Sequence, residues 1–321
     1  MSWLKLPAAA LSLIGRHGTL IAAGSIVLGL AAPPLAALLK PALGPMIVLM
    51  LVLAFLRVDP AELRRQWTAP KLVLAATAWN MLLAPLALGL VFVGLGLQRS
   101  APGLYFIMVL QMSAPGLMSA PAIAALLGLD VALTLATLIA TVAVTPVTAS
   151  LFTHLFLGTA LDDPAAFGVR LFLIIAGSAL AAALLRRWAG PAFIERQRER
   201  IDGLSVLAFG SFAVATMDGG SAHFAADPKL GAALALLTFL LSLGMTALTA
   251  LVFLPAGRGR AFAIGLTAGN RNIGLMLAAT GFQAPDVAWL YFALAQMPIY
   301  LLPHLLRPVA RWAAGPALRD G

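Results

Sequence analysis

The chain has 321 residues, 61% of them hydrophobic and only 10% charged, with 21 Lys and Arg against 12 Asp and Glu for a net charge of +9. A water-soluble globular chain carries about 25% charged residues, so this composition, with a mean hydropathy of +0.97, excludes an ordinary soluble domain and points to a polytopic membrane protein. The absence of cysteine excludes disulfide frameworks, thiolate metal sites and cysteine nucleophiles, and the four histidines, His17, His154, His223 and His304, are too scattered for a metal motif.

Residues 1–15 carry Lys5 and a short apolar run. Without a clear small-residue cleavage site they are expected to lie on the cytoplasmic face as an amphipathic segment rather than act as a signal peptide. Uncharged runs follow at 18–39, 41–56, 72–98, 100–129, 131–161, 171–185, 203–217, 230–257 and 287–306, and a further apolar run over 261–285 is interrupted only by Arg271. A membrane helix takes roughly 20 residues, so an all-α protein of ten transmembrane helices is expected. Three runs are nearer 15 residues and must borrow charged neighbours. The connections are short, and 191–202 reads as a solvated loop.

Taken alternately, the connections and termini place 16 Lys and Arg on one side and four, Lys40, Arg99, Arg170 and Lys229, on the other. By the positive-inside rule both termini are cytoplasmic, as in a multi-pass protein of a bacterial inner membrane. The net +9 then needs no nucleic-acid partner. His154 and His304 lie toward the ends of spans five and ten, where an interfacial position competes with a proton relay.

Five spans followed by five more place the halves 1–161 and 162–321 in opposite orientations, the inverted repeat common in secondary transporters. Spans four and nine carry matching interruptions. Pro115, Gly116 and Pro121 fall within span four, and Gly269, Asn270, Asn272 and Gly274 within span nine, where missing N–H groups and flexible glycines break the helical ladder. Each break is followed by the same tripeptide, Asp130-Val-Ala and Asp286-Val-Ala, read as the cap of the next helix. Irregular backbone at bilayer depth is tolerated only where protein or a watery cavity surrounds it, so a binding site is expected where broken helices four and nine cross. The half-helices beginning there direct positive dipole ends at it, which suits an anion, while the preceding halves present carbonyls that suit a cation.

These residues resemble the bile acid:sodium symporter family. Ser113-Ala-Pro-Gly116, Pro121, Asp130-Val-Ala-Leu-Thr134 and Thr145-Pro146 run in register with that family's fourth and fifth helices; Gly269-Asn-Arg-Asn272 with Gly274 is similar to its helix-nine signature; and Asn80, five residues before Pro85, is similar to its helix-three Gln and Pro. The resemblance implies a panel of helices one, two, six and seven against a core of three to five and eight to ten, with substrate bound between them. It also implies where this chain departs from the family. The sodium-ligand positions fall on Ala120, Pro121 and Leu138, the signature glutamate on Thr267 and the glutamine on Arg271, leaving Thr134, Asn80 and the backbone of the break as the remaining oxygen ligands. A sodium ion needs several oxygens, usually with a charged one among them.

Arg271 is therefore the pivotal residue. A cation at bilayer depth costs about 2.5 to 3.5 kcal/mol on insertion scales, and no acidic residue lies inside a span. Its guanidinium is expected to stand in for sodium, either bracing the crossing or meeting the substrate's acidic group, with snorkelling out to an interface as the third reading. Asn270, Asn272, Asn80, Ser113 and Ser119 are further substrate-contact candidates, each with helix packing as the competing role.

The expected function is transport of a small organic anion by alternating access, by uniport or exchange. The alternatives are sodium-coupled symport with a relocated cation site, or a non-transporting channel or scaffold. No enzymatic activity is expected, since no nucleophile, carboxylate pair or metal site falls within the spans. No cofactor is expected beyond a possible sodium ion, and the anticipated partners are the organic anion and the lipid bilayer around a monomer.

Overall fold

The fold is taken from a computed structural model, which describes residues 18–58, 69–158, 161, 163–218, 224 and 226–314, with backbone alone at 18–23 and 314. The expected amphipathic segment 1–15, His17 and His223 lie outside the described residues.

Among the described residues every regular element is a helix. The first are α1 (Gly18–Ala31), α2 (Pro33–Leu39) and α3 (Leu43–Leu56), the last two joined by a 3-10 turn at Lys40–Ala42. Then come α4 (Pro70–Ala78) and α5 (Ala84–Gly94), joined by a single π turn at Trp79–Leu83, followed by α6 (Leu97–Ser100), α7 (Pro102–Ser113), α8 (Ala120–Leu126) and α9 (Val131–Leu157). The remainder are α10 (Pro164–Ala189), α11 (Pro191–Arg196), α12 (Arg198–Thr216), α13 (Pro228–Val252), α14 (Arg258–Gly269), α15 (Ile273–Ala279), α16 (Asp286–Leu305) and α17 (Arg307–Ala314). Proline opens six of them, where its missing N–H costs nothing and its φ is already helical.

Five helical stretches among the described residues are long and apolar enough to cross a membrane: Pro33–Leu56, Pro70–Gly94, Val131–Leu157, Pro164–Ala189 and Pro228–Val252. At 24 to 27 residues and 1.5 Å rise per residue, each exceeds the roughly 30 Å of a bilayer's hydrocarbon core. The other apolar runs make shorter or bent elements. α7 and α8, and α14 and α15, are separated by breaks, and α16 turns by 55° into α17. α12 does borrow charge, beginning at Arg198 and taking Glu199, Arg200 and Asp202 into its first turns. The loop expected at 191–202 is therefore corrected to helix: α11 occupies 191–196 and α12 starts at 198.

The chain divides into two compact units, Met1–Asp59 with Ile174–Ala232 and Pro60–Leu173 with Ala233–Gly321. Neither half of the sequence is itself a compact unit. In the first, α12 packs against α1, α2 and α3, and ion pairs tie both its ends: Arg57 to Asp202 at 2.6 Å and Lys40 to Asp218 at 2.8 Å. Arg186 donates to the carbonyls of Leu56 and Val58 at the end of α3, as a cation at a helix C-terminus should.

In the second unit α9 is the central helix, packed against α4, α7, α8 and α14. Its Thr141, Thr145, Thr148 and Thr153 hydroxyls donate back to carbonyls of their own helix, so these buried polar groups stay satisfied in an apolar setting. Asp130 caps α9, its Oδ1 accepting from the Leu133 N–H at 2.9 Å. Asp286 does not cap α16: Pro285, with ψ 152°, takes the cap position and Asp286 is the first helical residue, where its charge still favours the positive helix end. His154 is exposed in the last turn of α9, and His304 is half-buried in the last turn of α16.

Candidate functional site

The two interruptions meet. After α7 the backbone turns extended at Ala114 (φ −72°, ψ 149°), and after α14 it does so at Asn270 (φ −108°, ψ 98°). The segments pair as an antiparallel bridge with Gly116 opposite Arg271. Leu117 N–H donates to the Asn270 carbonyl at 2.8 Å, and Asn272 N–H to the Pro115 carbonyl at 2.9 Å. Backbone groups released by the two breaks are thus answered by each other, which an apolar surround requires. A Cβ at Gly116 would lie 2.5 Å from the Thr267 methyl and 3.5 Å from Leu138, so the close approach needs glycine.

Two expected break residues are corrected. Pro121 lies in the first turn of α8 and Gly274 in the first turn of α15. A first-turn residue gives up no intrahelical donor bond, so proline starts α8 rather than interrupting it. The irregular backbone is confined to 114–119 and 270–272, with Gly269 the last residue of α14.

Arg271 joins three segments. Its Nε donates to the Ala268 carbonyl at 2.7 Å, and its Nη1 to the carbonyls of Ala114 at 2.7 Å and Asn80 at 3.0 Å. Ala268 and Ala114 end the first halves of the two broken helices, where carbonyls lack intrahelical partners. The residue is 6% exposed. Charge-assisted bonds of this kind contribute about 1.5 to 3 kcal/mol each, enough together to offset burial of the cation. Nη2 has no hydrogen bond among the described residues.

Asn80 sits in the π turn, a distortion frequent at functional sites, and Trp79 beside it donates to Thr249 of α13 at 2.9 Å. Its backbone carbonyl meets Arg271, while its side-chain Oδ1 and Nδ2 are buried without partners among the described residues. Asn270 donates Nδ2 to the Leu266 carbonyl and leaves its Oδ1 unpaired. Asn272 is half-buried and caps α15 by accepting from Leu275 N–H at 3.2 Å.

Three of the four hydroxyl candidates are already engaged. Ser113 donates to Val109, Thr134 to Asp130 and Thr267 to Ala263, all backbone carbonyls one turn back. Ser119 precedes α8 without a side-chain capping bond. Of the cation-site equivalents, Leu138 and Thr267 come together around Gly116, Arg271 lies opposite it, and Ala120 and Pro121 open α8. Among the described residues no His, Asp and Glu cluster could hold a metal.

Sequence reasoning missed Gln111. Its Oε1 accepts from the buried Tyr291 hydroxyl of α16, and its Nε2 has no partner among the described residues. Gln111 and Arg271 share a partly open pocket of about 20 Å³ between α5, α7, α13 and α14, otherwise lined by apolar side chains such as Leu88, Phe92, Met108 and Met245. The available signal was an amide in the otherwise apolar run 105–112, since polar side chains inside a span are seldom idle. A comparison with protein-family models and with curated proteins finds no match to this chain.

Proposed function

We propose that the chain is a secondary transporter carrying a small organic anion by alternating access, without sodium coupling, and built as a ten-span inverted repeat of the bile acid:sodium symporter type. One observation carries the reading: two interrupted helices, one from each half of the sequence, meet at their breaks and are clamped there by a single buried cation. A clamp at a break suits a site of alternating access, because irregular backbone at depth marks binding sites in such carriers.

Further support comes from the pairing of chain ends. Lys40 with Asp218, Arg57 with Asp202 and Arg260 with Asp130 each join residues expected on the same membrane face. The two compact units also group the segments as the panel and core of this reading would.

Sodium independence follows from the oxygens. The carbonyls of Ala268, Ala114 and Asn80 are occupied by a covalently attached positive charge, and the Thr134 hydroxyl is spent on its own helix. A second reading, symport with a relocated cation site, has the unpaired Oδ1 atoms of Asn80 and Asn270 in its favour. Proteoliposomes given labelled acetate, lactate, succinate and a conjugated bile acid, with and without an inward sodium gradient, test both. Uptake or counterflow equal in sodium and choline is expected; strict dependence on the sodium gradient selects the second reading, and no movement of any probe by well-folded protein opposes both.

A further inference from the structure

We propose that the pocket shared by Arg271 and Gln111 seats one small monovalent anion, a carboxylate group or a halide. The donors decide the sign. Arg271 spends Nε and Nη1 on carbonyls and Gln111 gives its Oε1 to the Tyr291 hydroxyl, which leaves Arg271 Nη2 and Gln111 Nε2 without a partner among the described residues. Both side chains line the pocket, and no carboxylate does. The wall therefore offers N–H donors and one fixed positive charge, with leucine, phenylalanine and methionine elsewhere.

In such a low-dielectric surround a cation is repelled and an unmatched guanidinium edge is costly, so an anion gains from both terms. One N–H from Arg271 Nη2 and one from Gln111 Nε2 would each meet one oxygen of a carboxylate, or together a single halide. Size limits the choice: about 20 Å³ is room for one or two waters, hence a halide or a carboxylate head whose tail leaves through the opening, and not a bulkier sulfate. Where the anion is the head of a transported substrate, the inference rests on the transport reading, but its test is a binding measurement and the two can fail separately.

The full chain in nanodiscs is unfolded by heat in sodium acetate, sodium chloride or sodium sulfate at matched sodium. A saturable rise of about 2 to 6 °C is expected at 10- to 100-fold excess over Kd in acetate, chloride or both, and none in sulfate. Acetate alone identifies a carboxylate seat, and chloride alone a halide seat. Gln111→Glu keeps an acceptor for Tyr291 and supplies Arg271 with its own carboxylate. It is expected to unfold at a higher temperature in sulfate and to lose the response. Should that variant fail to fold, Gln111→Met is expected to weaken the apparent affinity at least tenfold. No saturable response in the unaltered protein, or an unchanged response in these variants, overturns the proposal; organic-anion uptake persisting in that case leaves the transport reading intact.

Discussion

Replacing Arg271 removes one donor group from three carbonyls at once. Three charge-assisted bonds at about 1.5 to 3 kcal/mol each amount to roughly 4.5 to 9 kcal/mol. Against this stands, on the proposed membrane placement, the cost of holding a guanidinium at bilayer depth, about 2.5 to 3.5 kcal/mol, which the variant no longer bears. The difference leaves Arg271→Gln destabilised by about 1 to 6.5 kcal/mol, a sizeable part of a typical total stability of about 5 to 15 kcal/mol. Losses should concentrate at the bridge, because Arg271 stands opposite Gly116 in it and donates to the Ala114 and Ala268 carbonyls beside the two breaks.

The same substitution leaves a cage of oxygens without its built-in charge. Thermal unfolding of Arg271→Gln in nanodiscs should therefore become sensitive to the cation, with a higher midpoint in sodium chloride than in choline chloride, while the unaltered protein is indifferent. Matching chloride keeps the anion pocket out of the comparison. A loss below about 0.5 kcal/mol, the usual range for a surface substitution, together with no cation effect, would refute the bracing role.

Two further outcomes are expected around the breaks. A Cβ at Gly269 collides with Thr246 and with the Ser242 backbone carbonyl of α13, whereas one at Gly244 of α13 meets nothing within 4 Å. In paired unfolding measurements Gly269→Ala should therefore cost about 1 to 3 kcal/mol or more, and Gly244→Ala should be neutral or stabilise by up to about 1 kcal/mol. Gly116→Ala should cost about 1 to 3 kcal/mol through the Thr267 methyl, and adding Thr267→Ser, which deletes that methyl, should restore most of it; an additive double variant rules the contact out as the cause.

Charge runs and helix-breaking residues were legible because they act locally. The uncharged runs located the apolar helices, and the Pro115-Gly116 and Gly269-Asn270 sites located both irregular segments to within a few residues. Where two equivalent local solutions existed, sequence misassigned the detail. Pro121 and Gly274 are as compatible with a helix start as with a break, and Pro285 and Asp286 compete for one cap. Partners across the fold were not legible at all. Asn80 was singled out for its side chain, yet its carbonyl is what Arg271 uses, and any residue type would supply that oxygen. Gln111 acquires its meaning only from Tyr291, 180 residues away, and from a partly open pocket that four helices line.

A covalently held cation has an energetic consequence for the proposed transporter. A dissociable ion brings its own gradient to the cycle, whereas a guanidinium that never leaves brings none, and arginine does not deprotonate to lend a proton instead. An anion then moves with only its own gradient and the membrane potential, which is worth about 2.3 kcal/mol per charge per 100 mV. With the interior negative, that term favours outward movement of a monovalent anion by roughly 50-fold in equilibrium ratio. Net accumulation would require exchange against a second anion, so on the proposed reading the replacement of a sodium ligand by Arg271 converts an importer's architecture into that of an exporter or an exchanger.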